Sequence, residues 1–444
     1  MPLPPFALLH NPVRAYAWGS TTAIPELTGT PGTGAPQAEL WMGAHPSAPS
    51  ALGPADGAGG PRPLDGLIAA DPDGLLGPET VRRFGPGLPF LFKVLAADRA
   101  LSLQVHPTRA QAVAGHAAED ARGVPRDAPG RVFRDRGHKP ELICALGDFE
   151  ALCGFRPAAG TAGLLEALDV PLLAPWATAL RTRPAAQALP ALLRGALATH
   201  RPTGSQLAAV EAALRRLAGS GGRYARACAA YARVAAQYPG DPGLVAALLL
   251  NHVPLAAGQA LYLDAGVPHA YLRGVGVELM ANSDNVLRCG LTAKHVDVDG
   301  LLAVTSFRTG GPRVLEPQPW GPVEAGFRSP AEEFRLSRLR PGAMAVRVEL
   351  PAPQILLCVA GRARLRAPGH PDLALPPGAS AYLRPRAGPV ELTGPGSELF
   401  RATTGEPPTR ATTGAPARSG AGAPARAGRA APAQAGSGWP NSRS

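Results

Sequence analysis

The apolar positions change period twice along the chain. In the first 156 residues they form short runs broken by turns. LPFLFKVL (88–95) and LSLQVH (101–106) read as strands joined through the turn-like AADRA. LDGLIAADPDGLLGPETVRRFG predicts short helices capped by Asp65, Asp71 or their neighbours. From 158 to 250 the spacing becomes helical, in GLLEALDVPLL, AAQALPALLRGALATH, SQLAAVEAALRRLAG, RYARACAAYARVAAQY and PGLVAALLL. Ser205 is the expected cap of one of these helices, and Asp241 before Pro242 marks the start of the last. Strand patterns return in QALYLDAG, GVGVELMA and NVLRCGL (258–310). They recur in AVRVEL, QILLCVAG, RARLRAP, SAYLRPR and PVELTG (340–400). Short strands on both sides of a helical insert predict a mainly β fold with an α insert, a barrel or a sandwich. From about 403 the chain is Ala, Gly, Pro, Arg, Ser and Thr with repeats such as GAPAR. It is too poor in large apolar side chains to offset ordering entropy and is expected to be disordered.

The polar residues within these strands carry the chemistry. In LSLQVH, alternation puts Leu101, Leu103 and Val105 on one face and Ser102, Gln104 and His106 on the other. The ordinary alternative is a half-exposed strand with a solvated polar face. In GHKPEL, Pro140 favours an extended Lys139, so Lys139 and Glu141 point the same way and Glu141 enters an apolar run. A carboxylate buried there needs a cation or several donors; a surface Lys–Glu pair is the competing reading. In LDAGVPHAY, a strand runs into a glycine turn and His269 opens the next strand. Together His106, His269, Glu141 and the Gln104 amide form a mixed N/O donor set. It suits Zn2+ with an open coordination position, and iron or manganese less decisively. No cysteine lies where a thiolate ligand would be expected, which favours a catalytic over a structural site.

Composition narrows the class. The 444 residues are 45% hydrophobic but only 5% aromatic, enough for two or three domains with cores of Ala, Leu and Val. The net charge of +11 is not concentrated in any dense basic run, and the tail's arginines contribute much of it. That distribution suits a small anionic ligand and predicts no nucleic-acid partner. Five cysteines without a CxxC give no disulfide framework. No run of eighteen apolar residues and no leader pattern are present, so the reading is a soluble cytoplasmic protein without a membrane partner, expected as a monomer. Of 44 basic residues only Lys93, Lys139 and Lys294 are lysines. In so arginine-biased a chain they mark places where a compact ammonium is needed.

Eight stretches in order carry a family resemblance: NPVRAYAWGS (11–20), AELWMGAHPSAPS (38–50), LPFLFKVLAA (88–97), LSLQVHP (101–107), GHKPELICAL (137–146), FEALCGFRP (149–157), LDAGVPHAYLRG (263–274) and VELMANSDNVLRCGLTAKHVD (277–297). In them the chain resembles the type I mannose-6-phosphate isomerases, firmly over 1–310 and loosely over 311–400. The resemblance implies two cupin-like β-barrels (double-stranded β-helix) with an inserted helical domain. The divisions are 1–157 and 251–314 for the catalytic cupin, 158–250 for the insert, 315–402 for a second cupin-like domain without metal, and 403–444 for the tail. It implies one zinc per chain on Gln104, His106, Glu141 and His269, a catalytic Arg288, and interconversion of mannose 6-phosphate and fructose 6-phosphate. On that footing Glu278, in an apolar VELM setting that could raise its pKa, is the leading proton-transfer base, with Lys139 or a zinc-bound water as rivals. Lys93, Ser102 and Lys294 are expected at the phosphate, and Tyr271, sharing the parity of His269, at the sugar. Cys289, beside Arg288, is expected to affect oxidation sensitivity. Two other classes remain open on sequence alone: a cupin metal-dependent oxygenase and a non-catalytic sugar-phosphate-binding cupin.

Overall fold

The computed structural model describes residues 3–53 and 60–405, which belong to one compact unit. Among these residues the strands form three antiparallel sheets, accompanied by helices. The largest has eleven strands: β1 (Val13–Arg14), β2 (Glu39–Met42), β3 (Phe90–Ala97), β4 (Leu103–Val105), β5 (Glu141–Ala145), β6 (Phe149–Phe155), β7 (Leu250–Leu255), β8 (Ala260–Leu263), β9 (His269–Ala281), β10 (Leu287–Gly290) and β11 (Val314–Leu315). Its main path runs β11-β8-β5-β9-β3-β2-β1, with β4, β6, β7 and β10 paired off that path.

The long β9 organises the sheet. Its first residues pair with β4 and β6, its last with β3 and β5. A register shift between Tyr271 and Arg273 separates the two halves. Beside it, Gly274 has φ 117°, and a Cβ there would lie 2.6 Å from the Asp148 carbonyl, so only glycine fits. The shift reverses which parity faces which side. Before it, Ala270 and Leu272 pack toward the helical segment while Tyr271 faces the opposite way. After it, Val277 and Leu279 pack against the nine-stranded sheet, leaving Glu278 and Met280 on the other face.

The same division holds on the neighbouring strands. Phe90, Phe92, Val94 and Ala96 of β3, and Leu142 and Cys144 of β5, join the core shared with the nine-stranded sheet. Lys93 and Glu141 therefore point to the opposite side, with Leu95 and Ile143. Leu103 and Val105 pack with the helices, leaving Gln104 on the far face, as the alternation in LSLQVH predicts.

The segment 158–250 is helical, from Ala158–Leu168 to Gly243–Ala247. Its leucine and alanine faces form one core with β4, β9 and β10. Two local expectations change. Thr203, not Ser205, caps the helix Gly204–Ala218, because a T-x-x-Q capping box with Gln206 satisfies both end groups. Asp71 caps its helix, whereas Asp65 lies within a first turn. The helix Arg109–Ala121, unmarked by strong apolar periodicity, is set by the same device through Thr108 and Gln111.

Strands from 318 to 403 build most of a nine-stranded sheet and a four-stranded sheet that pack on each other. Chain order is not followed strictly: Phe6–His10 pairs with Ser380–Leu383 and so joins the sheet of the C-terminal strands. The last strand, Glu398–Thr403, runs up to the predicted start of the tail. The tail from 406 lies outside the described residues. No described helix is long and apolar enough to cross a membrane.

Candidate metal centre and active site

Three strand ends bring His106, Glu141 and His269 together. One ligand atom from each lies within 4.8 Å of the others, and all three residues are buried. Among the described residues this is the one such group. The His106 and His269 Nε2 atoms lie 3.2 and 3.4 Å from the two Glu141 carboxylate oxygens. The opposite ring nitrogens are fixed by backbone: His106 Nδ1 contacts the Asn285 carbonyl at 2.8 Å, and His269 Nδ1 the Val267 carbonyl at 3.0 Å. A carbonyl only accepts, so each Nδ1–H donates and each Nε2 lone pair faces the centre. Burial, with a smaller effect of nearby cations, lowers His106 to about 4, so its ring is neutral near neutrality. Burial by itself would raise Glu141, but Lys139 and the two imidazoles hold it well below the usual carboxylate range. His106 Nε2, His269 Nε2 and Glu141 Oε2 make no hydrogen bond although all are buried. Three converging donors left unpartnered in the interior fit a divalent cation.

The expected fourth donor, Gln104, is half-buried and lies in register opposite both His269 and Arg288. Lys139 adjoins the centre, its Nζ 3.2 Å from Glu141 Oε1. A second polar cluster sits on the same face. Lys93 Nζ lies 3.2 Å from Glu278 and 3.6 Å from Glu39, all three buried. Glu39 also accepts from the Trp41 indole at 2.6 Å, and Lys93 lies 5.2 Å from the centre of that ring. Burial raises the pKa of Glu278, and Glu141 and Glu39 add to it against the pull of Lys93. Burial and the Glu278 and Glu141 charges push the Tyr271 hydroxyl well above the ordinary phenol value.

The model for the catalytic domain of type I phosphomannose isomerase matches residues 6–158. The mannose-6-phosphate isomerase of Escherichia coli (strain K12) is 39% identical over 391 residues, 87% of this chain and 97% of that protein. The chain belongs to the type I phosphomannose isomerase family. Mannose-6-phosphate isomerase 1 of Arabidopsis thaliana is 34% identical over 76% of this chain and 78% of its own length. A crystal structure of a phosphomannose isomerase mutant from Salmonella typhimurium superposes with a TM-score of 0.82 at 36% identity, covering 90% of this chain and 100% of that one. A zinc-bound mannose 6-phosphate isomerase structure gives 0.80 with the same identity and coverage.

The remaining candidates divide. Arg288 is half-buried on β10, and Lys294 is exposed on the loop that follows. That loop is tied to the helical segment by Asp241, which accepts from the Thr292 and Gly243 amides at 3.0 and 2.7 Å. Lys93 is buried, its ammonium engaged by Glu39 and Glu278. Ser102 is half-buried just before β4, on the Gln104 side by alternation. Cys289 is buried, and burial pushes its thiol up to about 12, so it carries no reactive thiolate beside Arg288.

Sequence reading missed the residue that joins the pieces, Asn285. Fully buried, it accepts the Arg134 and Asp135 amides through Oδ1 at 2.7 and 3.2 Å. Its Nδ2 donates to the Asp135 and Gly137 carbonyls at 2.8 Å each. Its own carbonyl receives His106 Nδ1–H. The NSDN string was the available signal, since a buried amide can satisfy two backbone segments at once. Asn285→Ala is expected to weaken zinc binding about 10–100-fold, the scale for losing a group that orients a metal ligand. Competition with a chromophoric chelator measures this; unchanged zinc affinity would remove Asn285 from the centre's support.

Proposed function

We propose that this chain is a zinc-dependent aldose–ketose isomerase that interconverts mannose 6-phosphate and fructose 6-phosphate. The observation that carries the reading is the buried His106–Glu141–His269 set, each with one atom lacking a hydrogen bond, lying on the same face as a carboxylate of raised pKa. Zinc would be held by these three with Gln104 as fourth donor, supplying a Lewis acid for the sugar oxygens. Glu278 removes the proton from C2 and returns it to C1 through a cis-enediol, its raised pKa bringing it nearer the working pH. Lys93 orients Glu278 and stays protonated. Arg288 stabilises the negative charge that develops on oxygen, since an arginine cannot serve as the base. Lys139 holds Glu141 and is placed to donate to a sugar oxygen. Lys294, with Ser102, receives the phosphate, and Tyr271 borders the sugar.

The same reading takes the eleven-stranded sheet as one cupin barrel, from 1–157 and 251–314 with 158–250 inserted. The strands of 315–402 then form a second cupin-like barrel that borrows Phe6–His10. The chain is read as a cytoplasmic monomer acting on a small sugar phosphate.

Dialysis against a strong chelator is expected to remove more than about 90% of turnover, and stoichiometric zinc to restore it, the outcome for an essential Lewis acid. A coupled assay for fructose 6-phosphate formation measures both. Full activity in the chelated protein would defeat the zinc role, and oxygen uptake in place of isomerisation would favour the oxygenase reading.

A further inference from the structure

We infer that Arg134 is a third cation of the substrate's phosphate site, closing on a dianionic phosphate monoester together with Arg288 and Lys294. This rests on the isomerase reading above. The geometry comes from Asn285. Its side chain holds the backbone amide of Arg134 at 2.7 Å, and Arg288 follows three positions later on β10. The loop that carries Arg134 is therefore laid along the segment that delivers Arg288. Lys294 comes from the other side, on the loop anchored by Asp241.

The side chains of Arg134, Arg288 and Lys294 make no hydrogen bond or ion pair to any described residue, although their neighbours do. Arg131, three positions before Arg134, is paired with Asp120 at 2.7 Å and Glu119 at 3.6 Å. The acids close by are already committed. The Asp135 carboxylate accepts from Ser283 and from the Gly137 and Asp284 amides at 2.7–2.8 Å. Asp284 faces His45 at 3.3 Å. None of these carboxylates forms an ion pair with Arg134, Arg288 or Lys294, although the His45 contact and, to a smaller extent, the charge of Arg134 help hold Asp284 below its ordinary value.

They also act on one another. Burial and then the charge of Arg134 hold Arg288 below the ordinary arginine range; burial, Arg288 and Arg134 do the same to Lys294. Mutually repelling cations that no side chain pairs directly are an arrangement that a dianion relieves. A guanidinium adds a planar pair of donors to the point charge of the ammonium, so the trio can grip several phosphate oxygens at once.

The test uses the zinc-loaded, full-length protein with mannose 6-phosphate as substrate and inorganic phosphate as competitive inhibitor. In Arg134→Ala, KM and the inhibition constant for phosphate are expected to rise together by about tenfold, with kcat changed less than about threefold and zinc content intact. Arg134→Lys is expected to recover most of the loss, which a purely structural role would not produce. An unchanged inhibition constant in Arg134→Ala overturns the inference, as does a loss that follows zinc content. Calorimetry with inorganic phosphate separates this inference from the isomerase reading. If the wild-type protein binds phosphate but does not isomerise, the function fails while weaker binding by Arg134→Ala still sustains the cation site, and equal binding sinks it.

Discussion

Glu141→Ala should yield a folded protein that neither retains zinc nor turns over mannose 6-phosphate at a useful rate. The carboxylate touches both histidines and Lys139, so its loss removes a ligand and the anion that balances an almost buried ammonium. A Lewis acid contributes several kcal/mol of transition-state stabilisation, so kcat/KM should fall by about a thousandfold or more. Glu141→Gln offers the control: it keeps the shape and one neutral oxygen donor but loses the charge that attracts a dication. It should retain more zinc than the alanine variant and remain far below wild type. Metal content by atomic absorption, read beside far-UV circular dichroism, distinguishes metal loss from unfolding. A folded Glu141→Ala protein with full zinc and turnover within about tenfold of wild type would show that the centre is not where chemistry occurs.

Much of this centre was legible because strand alternation is local. The face shared by Ser102, Gln104 and His106, and the common direction of Lys139 and Glu141, follow from a period of two and a single proline. The opening of β9 by His269 follows from the glycine turn before it. The helical segment was equally plain, since its leucines and alanines must form a core among themselves. Other features depend on partners distant in sequence. The place of Glu278 follows from a register shift near Tyr271; a straight alternation from His269 would have turned it away from the site. Lys93 was expected at the phosphate because an isolated lysine suggests a point charge. Its pairing with Glu39, on a neighbouring strand and 54 positions earlier, has no local sign. The pairing of Phe6–His10 with strands near 380 has no local sign, because a five-residue apolar strand fits any open sheet edge.

Replacement of Glu278 by glutamine should lower kcat by about two to four orders of magnitude, the usual range for a positioned general base, while zinc content stays unchanged. The amide keeps the size of the side chain and can still accept from Lys93, but it cannot take a proton. The diagnostic readout is exchange of the C2 hydrogen with solvent, which should disappear along with turnover. The pH profile supplies an independent check with a defined sign. As the proposed base Glu278 would act only as a carboxylate, so activity should appear as pH rises through its elevated pKa. Lys93 opposes that elevation. Lys93→Met removes the opposing charge, raises the pKa further, and should move the acid limb of kcat/KM to higher pH. A limb that stayed in place, or C2 exchange persisting in Glu278→Gln, would transfer the base role to another group. Lys139 is then the next to test, because its ammonium lies 3.2 Å from the Glu141 carboxylate and could shuttle a proton only if it loses one.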